Sequence, residues 1–273
     1  MGAGHFSDRA HRTVVQHPHL IFVMRLITAA ELLNVWEDGH SSTSTRRALL
    51  LLAALHPGAS QPALASLSIG QRDAELLRLR QALWGARMAA VAVCPACGER
   101  LDLAVDIRDL LSRANSAEEG ERTLAGEISL THGDFRVAFR IPTTEDALAA
   151  EDEEDVEAAR SLILERCLLA AEQAGAHVSA LELPAEVVGG IAERMAEADP
   201  LADIRLKIDC PSCQHRWSAA FDIVSFLWKE IEVWARRILS EVHTLAWAYG
   251  WREAEILAMS AMRRRFYLEM VGT

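Results

Sequence analysis

Cys94-Pro95-Ala96-Cys97 and Cys210-Pro211-Ser212-Cys213 are two copies of one frame, C-P-x-C. In such a frame two thiols face one point from a tight turn, and the proline presets the backbone angle of that turn. Two frames supply four sulfurs, which close a tetrahedral shell around one Zn²⁺. A closed shell leaves no position for water or substrate. The expected ion is therefore structural, and its binding energy is folding energy. Cys94, Cys97, Cys210 and Cys213 are the expected ligands. Disulfides do not persist in a reducing cytosol, and a thioredoxin-like redox pair needs no second matched copy. His215, close to the second frame, is expected to flank the ion rather than bind it. The fifth cysteine, Cys167, lies in an apolar helical run and reads as a small buried hydrophobe.

The two frames stand much farther apart than the roughly 15–20 residues of an ordinary zinc ribbon. The segment between them must be an insertion whose ends return to one point. Zinc then acts as a long-range staple, which is plausible because loop-closure entropy grows only slowly with length. The frames also open an internal repeat. Aligned without gaps, Cys94, Pro95, Cys97, Arg100, Asp106, Ile107 and Leu111 meet Cys210, Pro211, Cys213, Arg216, Asp222, Ile223 and Leu227. Between them Leu101, Leu103 and Val105 meet Trp217, Ala219 and Phe221, an alternation of period two that marks a half-buried strand. Each unit reads as knuckle, strand, aspartate, helix start. Asp106 and Asp222 fit the helix N-cap role. Two pseudo-symmetric halves meeting at one metal follow.

Outward from this centre the pattern is mostly helical. Helices are expected from Thr28 (the cap, with Glu31 three residues on) to Trp36, from Ser44 or Thr45 to Leu55, over 71–88, over 156–174 and over 184–198. Residues 62–69 read as a connector and 113–121 as a polar loop. A β-hairpin is expected from 127–130 and 135–141 around His132-Gly133-Asp134. Ile204, Leu206 and Ile208 alternate towards the second knuckle. A long helix over 223–249 carries Leu227, Ile231, Trp234, Ile238, Val242 and Leu245 on one stripe. Two shorter helices follow it. The fold class is thus α+β and predominantly helical, with a split, zinc-ribbon-like four-cysteine centre, a hairpin in the insertion and a C-terminal helical bundle. The chain divides into an N-terminal segment and first helix (1–40), a helical region (41–93), the first knuckle with its strand and helix start (94–111), an inserted α+β region (112–209), and the second knuckle with the C-terminal helices (210–273).

The composition excludes several classes of function. The chain has 273 residues, 51% hydrophobic and 25% charged, which is ordinary for a globular protein. Its net charge of −11 offers no attraction to a phosphate backbone, so nucleic acid is not an expected partner. The one basic cluster is Arg263-Arg264-Arg265, the sole support for the alternative of a zinc-ribbon nucleic-acid or transcription-associated protein. No apolar run approaches the roughly 20 residues of a membrane span. Nothing resembles a secretory leader, so a cytoplasmic protein is expected. The histidine-rich residues 1–27 lack clear periodicity and compact ligand spacing, and a short strand near 20–24 is the one element expected there. The stretch 145–157 holds eight acids and no base, and reads as a solvated loop and helix start. Five of the seven tryptophans fall from Trp217 to Trp251. They serve either core packing or a partner-docking face, and Trp228, Trp234, Trp247, Trp251 and Tyr267 are the candidates for such a face. No P-loop, G-x-G-x-x-G, G-x-S-x-G or H-E-x-x-H is present, and an enzyme is not expected.

Several stretches carry a family resemblance. They are Cys210-Pro-Ser-Cys-Gln-His-Arg-Trp, Phe221-Asp-Ile-Val-Ser-Phe-Leu-Trp, Glu241-Val-His-Thr-Leu-Ala-Trp-Ala-Tyr-Gly-Trp, Arg265-Phe-Tyr-Leu-Glu-Met, and upstream Arg46-Arg47-Ala-Leu-Leu-Leu-Leu with Cys94-Pro-Ala-Cys. Together they resemble the baseplate hub assembly chaperones of T-even-like phages and phage-tail-like contractile injection systems, in particular the zinc-knuckle members. The resemblance covers most of the chain from about residue 40. It implies a non-enzymatic protein that binds a baseplate or hub component, during tail assembly or as a minor part of the particle. It brings no catalytic residues, and its cysteines map onto Cys94, Cys97, Cys210 and Cys213.

Overall fold

A computed structural model describes residues 25–118 and 126–272. The expectation of a strand at 20–24 lies outside these residues. The first helices are α1 (Ala29–Gly39), α2 (Ser44–Leu55), α3 (Gln61–Ala65) and α4 (Ile69–Trp84). Thr28 and Glu31 form the expected capping box of α1, each satisfying an N–H at the other's end. Ser68 and Gln71 do the same for α4. The connector expected at 62–69 contains α3, started by the Ser60 cap with a proline in its first turn.

The helix expected over 71–88 stops early. Gly85, at φ +88°, breaks it after Trp84, and β1 (Arg87–Val93) follows. β1 pairs antiparallel with β2 (Arg100–Asp106), Ala89 opposite Ala104 and Val93 opposite Arg100. Arg80 holds this junction. Its guanidinium is buried and donates to the carbonyls of Gly85 and Arg87 at 2.6 and 2.7 Å. The helix after β2, α5 (Ile107–Glu118), runs through the first part of the expected polar loop.

The insertion builds a second layer. β3 (Glu127–His132) and β4 (Phe135–Arg140) form the expected hairpin. α6 (Thr144–Ala150) and α7 (Val156–Cys167) follow. The helix expected over 156–174 ends at Cys167, and β5 (Leu168–Gln173) runs antiparallel to β4. β6 (Ala176–His177) completes a sheet ordered β3-β4-β5-β6. α8 (Ala185–Ala198) packs on β3 and β4, and a small core gathers Val137 and Phe139 of β4, Ala171 of β5, and Val187 and Ile191 of α8.

The chain then returns to the centre through β7 (Arg205–Asp209) and β8 (Arg216–Ala220), an antiparallel pair. α9 (Ile223–Tyr249), α10 (Glu253–Leu257) and α11 (Ala261–Val271) complete the chain, with Gly250 in the left-handed conformation after α9. The main core gathers Leu51, Leu52 and Leu55 of α2, Leu76, Leu77 and Leu79 of α4, Met88 of β1, Ile107 and Leu110 of α5, and Leu227 and Ile231 of α9. Each side chain buried there contributes about 1.5–3 kcal/mol of transfer free energy. The architecture is the expected helix-rich α+β fold.

The insertion is not loosely tethered. Asp199, just past α8, accepts from the N–H of Gly70 at 2.8 Å at the start of α4. A β-carbon on Gly70 would overlap that carboxylate, so only glycine admits the contact. Glu151, just past α6, accepts from the N–H of Thr45 at 2.8 Å and the hydroxyl of Thr43 at 2.5 Å at the start of α2. Both carboxylates sit where helix N-termini leave unpaired donors and partial positive charge.

Candidate metal centre

The two knuckles stand at the tips of two hairpins that pack face to face. Leu101, Leu103 and Ala92 of the first meet Leu206, Ile208, Trp217 and Ala219 of the second, beneath Cys94 and Cys210. The repeat read from sequence extends to the backbone. The N–H of Cys94 donates to the carbonyl of Glu99, and that of Cys210 to the carbonyl of His215, both at 2.9 Å. The N–H of Gly98 donates back to Cys94, and that of Gln214 to Cys210. Gly98 and Gln214 both adopt positive φ, +75° and +60°. The strand registers agree as well, Ala89 opposite Ala104 and Arg205 opposite Ala220. Both expected caps are present: Asp106 Oδ1 accepts from the N–H of Arg108, and Asp222 Oδ1 from that of Val224, each at 2.9 Å.

This symmetry brings four sulfurs together. The Sγ atoms of Cys94, Cys97, Cys210 and Cys213 all lie within 4.8 Å of one another. Cys94 and Cys213 are 3.7 Å apart, Cys97 and Cys210 3.6 Å. A tetrahedron with Zn–S bonds of about 2.3 Å has edges of about 3.8 Å. The sulfur positions therefore fit one tetrahedral ion. Among the described residues no other histidine, cysteine or carboxylate group is arranged to hold a metal. His215 is not in the set; its ring stacks on Trp217 at 5.9 Å between centroids.

The electrostatics also favour a cation. Burial pushes the Cys94 thiol up, but the N–H groups of Cys97 and Ala96 outweigh it and bring the thiol down to about 7. The N–H of Glu99 favours the thiolate of Cys97, yet the crowding sulfurs of Cys213, Cys210 and Cys94 push that thiol up to about 12. The turns thus offer N–H groups to thiolates, while the four sulfurs cannot all ionise beside one another. A divalent cation removes that conflict.

The remaining candidates are scattered. Trp228 is buried, its ring against Gly39 and under the Arg47 guanidinium at 4.6 Å. Trp234 packs with Leu33, Ala235 and Ile238. Trp251 stacks on Tyr249 at 4.4 Å and meets Tyr267 edge-on at 4.7 Å, beside the buried Val242, Leu245 and Ile256. Trp247 is 86% exposed. In the basic cluster, Arg264 is buried against Glu241 at 2.9 Å and Arg265 pairs with Glu269 at 3.0 Å.

Sequence reasoning missed one site. The acidic stretch is not uniformly solvated. Asp146 is fully buried and binds Arg140 at 2.6 Å and Arg166 at 2.7 Å. Burial alone would raise its pKa, but Arg140, the Thr143 N–H and Arg166 hold it well below the usual carboxylate range. Cys167 lies fully buried beside this cluster, its sulfur 3.7 Å from the Arg140 guanidinium, and burial pushes its thiol up to about 11. The only available signal was the spacing T-x-x-D, a capping box at Thr143.

No helix of the described residues is long and apolar enough to cross a membrane. No curated protein and no solved structure matches this chain. A family model described as T4 bacteriophage base plate protein matches residues 51–228, a span that contains both knuckles, the whole insertion and the start of α9, and stops short of α10 and α11. With its paired knuckles inside that match, the chain belongs to the T4 bacteriophage base plate protein family.

Proposed function

We propose that this protein is a non-enzymatic assembly chaperone or baseplate-associated factor of a contractile phage-tail-like particle. It binds a hub or baseplate component, and one structural Zn²⁺ holds Cys94, Cys97, Cys210 and Cys213. The family membership carries the baseplate role. The four-sulfur geometry supports zinc of the structural kind, because no ligand position is left open to substrate. Two open concavities, one beside Arg140 and Arg166 and one along β7 and β8, are in keeping with a binding role.

The test is sedimentation. The tagged protein is expressed in its host, the lysate is fractionated by size, and co-purifying proteins are identified by mass spectrometry. A chaperone is recovered in light fractions with one hub or baseplate subunit and is missing from finished particles. A retained component sediments with them. Recovery with neither overturns the proposal. Metal analysis of the same preparation should give one zinc per chain.

A further inference from the structure

The four sulfurs of the centre differ in how they meet solvent. Cys97 and Cys213 are exposed, Cys94 and Cys210 buried. Each exposed sulfur lies against a buried one on the other hairpin: Cys213 is 3.7 Å from Cys94, and Cys97 is 3.6 Å from Cys210. The repeat that matches Cys94 with Cys210 and Cys97 with Cys213 makes these two contacts equivalent. Beneath them the apolar layer of Leu101, Ile208 and Trp217 holds the hairpins face to face. A peroxide attacks thiolates that it can reach, and a sulfenate formed there condenses with a neighbouring thiol. Each pair supplies one sulfur for each task. Cys167 supplies neither, because it is buried with its sulfur against the Arg140 guanidinium.

Four sulfurs can pair in three ways. Joining Cys94 to Cys210 and Cys97 to Cys213 puts two buried sulfurs together, out of an oxidant's reach. Joining within each frame has to close a bond of about 2.05 Å inside a turn already fixed by the hydrogen bonds of Cys94 with Glu99 and Gly98, and of Cys210 with His215 and Gln214. Joining across the hairpins asks only that touching side chains rotate together. We propose that the centre is a redox switch, in which a hydroperoxide converts Cys94–Cys213 and Cys97–Cys210 into two disulfides between the hairpins and the bound ion is released. The inference rests on the zinc reading above and names how that site is regulated. The exposed thiolate attacks one peroxide oxygen; an S–O bond forms, the O–O bond breaks, and the other oxygen takes a proton and leaves as an alcohol, or as water from hydrogen peroxide. The facing thiolate then attacks the oxidised sulfur; the S–S bond forms, the S–O bond breaks, and hydroxide takes a proton and leaves as water. Each disulfide thus consumes two thiols and one hydroperoxide, and the two electrons lost by the sulfurs are gained by the peroxide. Only thiolates ligate the metal, so the disulfides no longer hold it. A dithiol reverses the change by exchange.

Titration of the full-length wild-type protein with hydrogen peroxide tests it. Zinc content is measured first, metal release is followed with a chromogenic chelator, and the linkages are mapped by mass spectrometry of an unreduced digest. The expected result is two peroxides consumed and one zinc released per chain, with Cys94 linked to Cys213 and Cys97 to Cys210. Cys167 should react at least about ten-fold more slowly. Dithiothreitol with added zinc should restore the starting metal content. In the oxidised form β1, β2, β7 and β8 should keep their protection from hydrogen exchange, because the cross-links hold the hairpins where the ion did. Linkages within either frame, sulfinic or sulfonic acids in place of disulfides, or oxidation of Cys167 at the rate of Cys213 overturns the inference. Zinc measurement separates the two readings. One zinc per chain that stays bound through the titration leaves structural zinc standing and removes the switch. Cross-hairpin disulfides in a preparation that never held zinc do the reverse: the thiol pairing stands and the zinc reading falls.

Discussion

Cys213 is exposed, whereas Cys94 is buried. A Cys213→Ser change therefore removes one sulfur of the four-cysteine centre and almost no packing. With the proposed structural Zn²⁺, metal binding is folding energy, and the expected outcome is a loss of at least about 3 kcal/mol with one zinc per chain falling to substoichiometric content. Calorimetry and metal analysis check this; an unchanged melting temperature would exclude a structural ion. Gln214 makes the opposite case. It holds φ +60° where its repeat partner Gly98 holds +75°. A side chain in the left-handed region costs about 1–2 kcal/mol. Gln214→Gly should therefore stabilise the protein by about 0.5–1 kcal/mol, after the loss from a more flexible unfolded chain, read as a higher denaturation midpoint at unchanged zinc content.

Asp73 gives a pH prediction. Burial pushes its carboxyl up to about 6, against the opposing pull of Arg72 at 2.7 Å. A raised carboxylate means that the folded state binds the proton more tightly. Its contribution to stability falls as pH rises from about 4 to about 6 and is constant above. Asp73→Asn does not ionise, so its melting temperature should gain on the wild type by a few degrees across that window. Glu31 works the other way. Its hydrogen bonds to Arg25, foremost, and to Thr28 hold it at about 2, and its stabilisation is lost only below about pH 4.5.

At the scale of elements, α6, α7 and β4 meet at one buried carboxylate. Asp146 accepts from Arg140 at the end of β4 and from Arg166 at the end of α7, and closes the α6 capping box with Thr143. Removing its charge leaves two guanidiniums half-buried without their partner. Asp146→Asn should cost about 3–5 kcal/mol, the range for breaking a buried pair from one side, whereas an exposed pair such as Arg160–Glu157 contributes about 0–1 kcal/mol. Chemical denaturation of Asp146→Asn beside Glu157→Gln measures the contrast; equal costs would mean that the cluster does not organise the insertion. The capping box was legible in the sequence, but the two arginines were not. They come from an adjacent strand and a later helix, and only folding brings them to one carboxylate.

For the whole molecule, the sulfur centre joins hairpins that lie on either side of the insertion. The insertion has its own apolar core, including Phe139 and Ile191, apart from the core that contains Leu52 and Ile231. Local stability follows such units. Chelation should therefore deprotect β1, β2, β7 and β8 first in hydrogen exchange, with the β4–β5 ladder protected longer. Simultaneous loss everywhere would make the four-sulfur centre the keystone of the entire fold rather than a clip between two hairpins.

The pairing of the four cysteines, the tandem repeat, the aspartate caps and the helical character of both ends are properties of local chemistry: thiol spacing, period-two alternation, and carboxylates preceding helix starts. The sequence alone was therefore enough to determine them, together with the likeness to phage baseplate proteins, which the match over 51–228 bears out at the level of the family. Tertiary structure decided what depends on partners distant in the chain. β5 was hidden inside a helical run and β1 began under the end of another, because Ala-rich and Leu-rich segments suit either state until a neighbouring strand offers its hydrogen bonds. The tryptophans are identical in composition, yet packing buries Trp228 and leaves Trp247 in solvent. On α11, Tyr267 and Leu268 pack beside Val242, Leu245 and Ile256 while Met262 and Phe266 stay exposed, since burial is a property of the assembled surface and not of the residue.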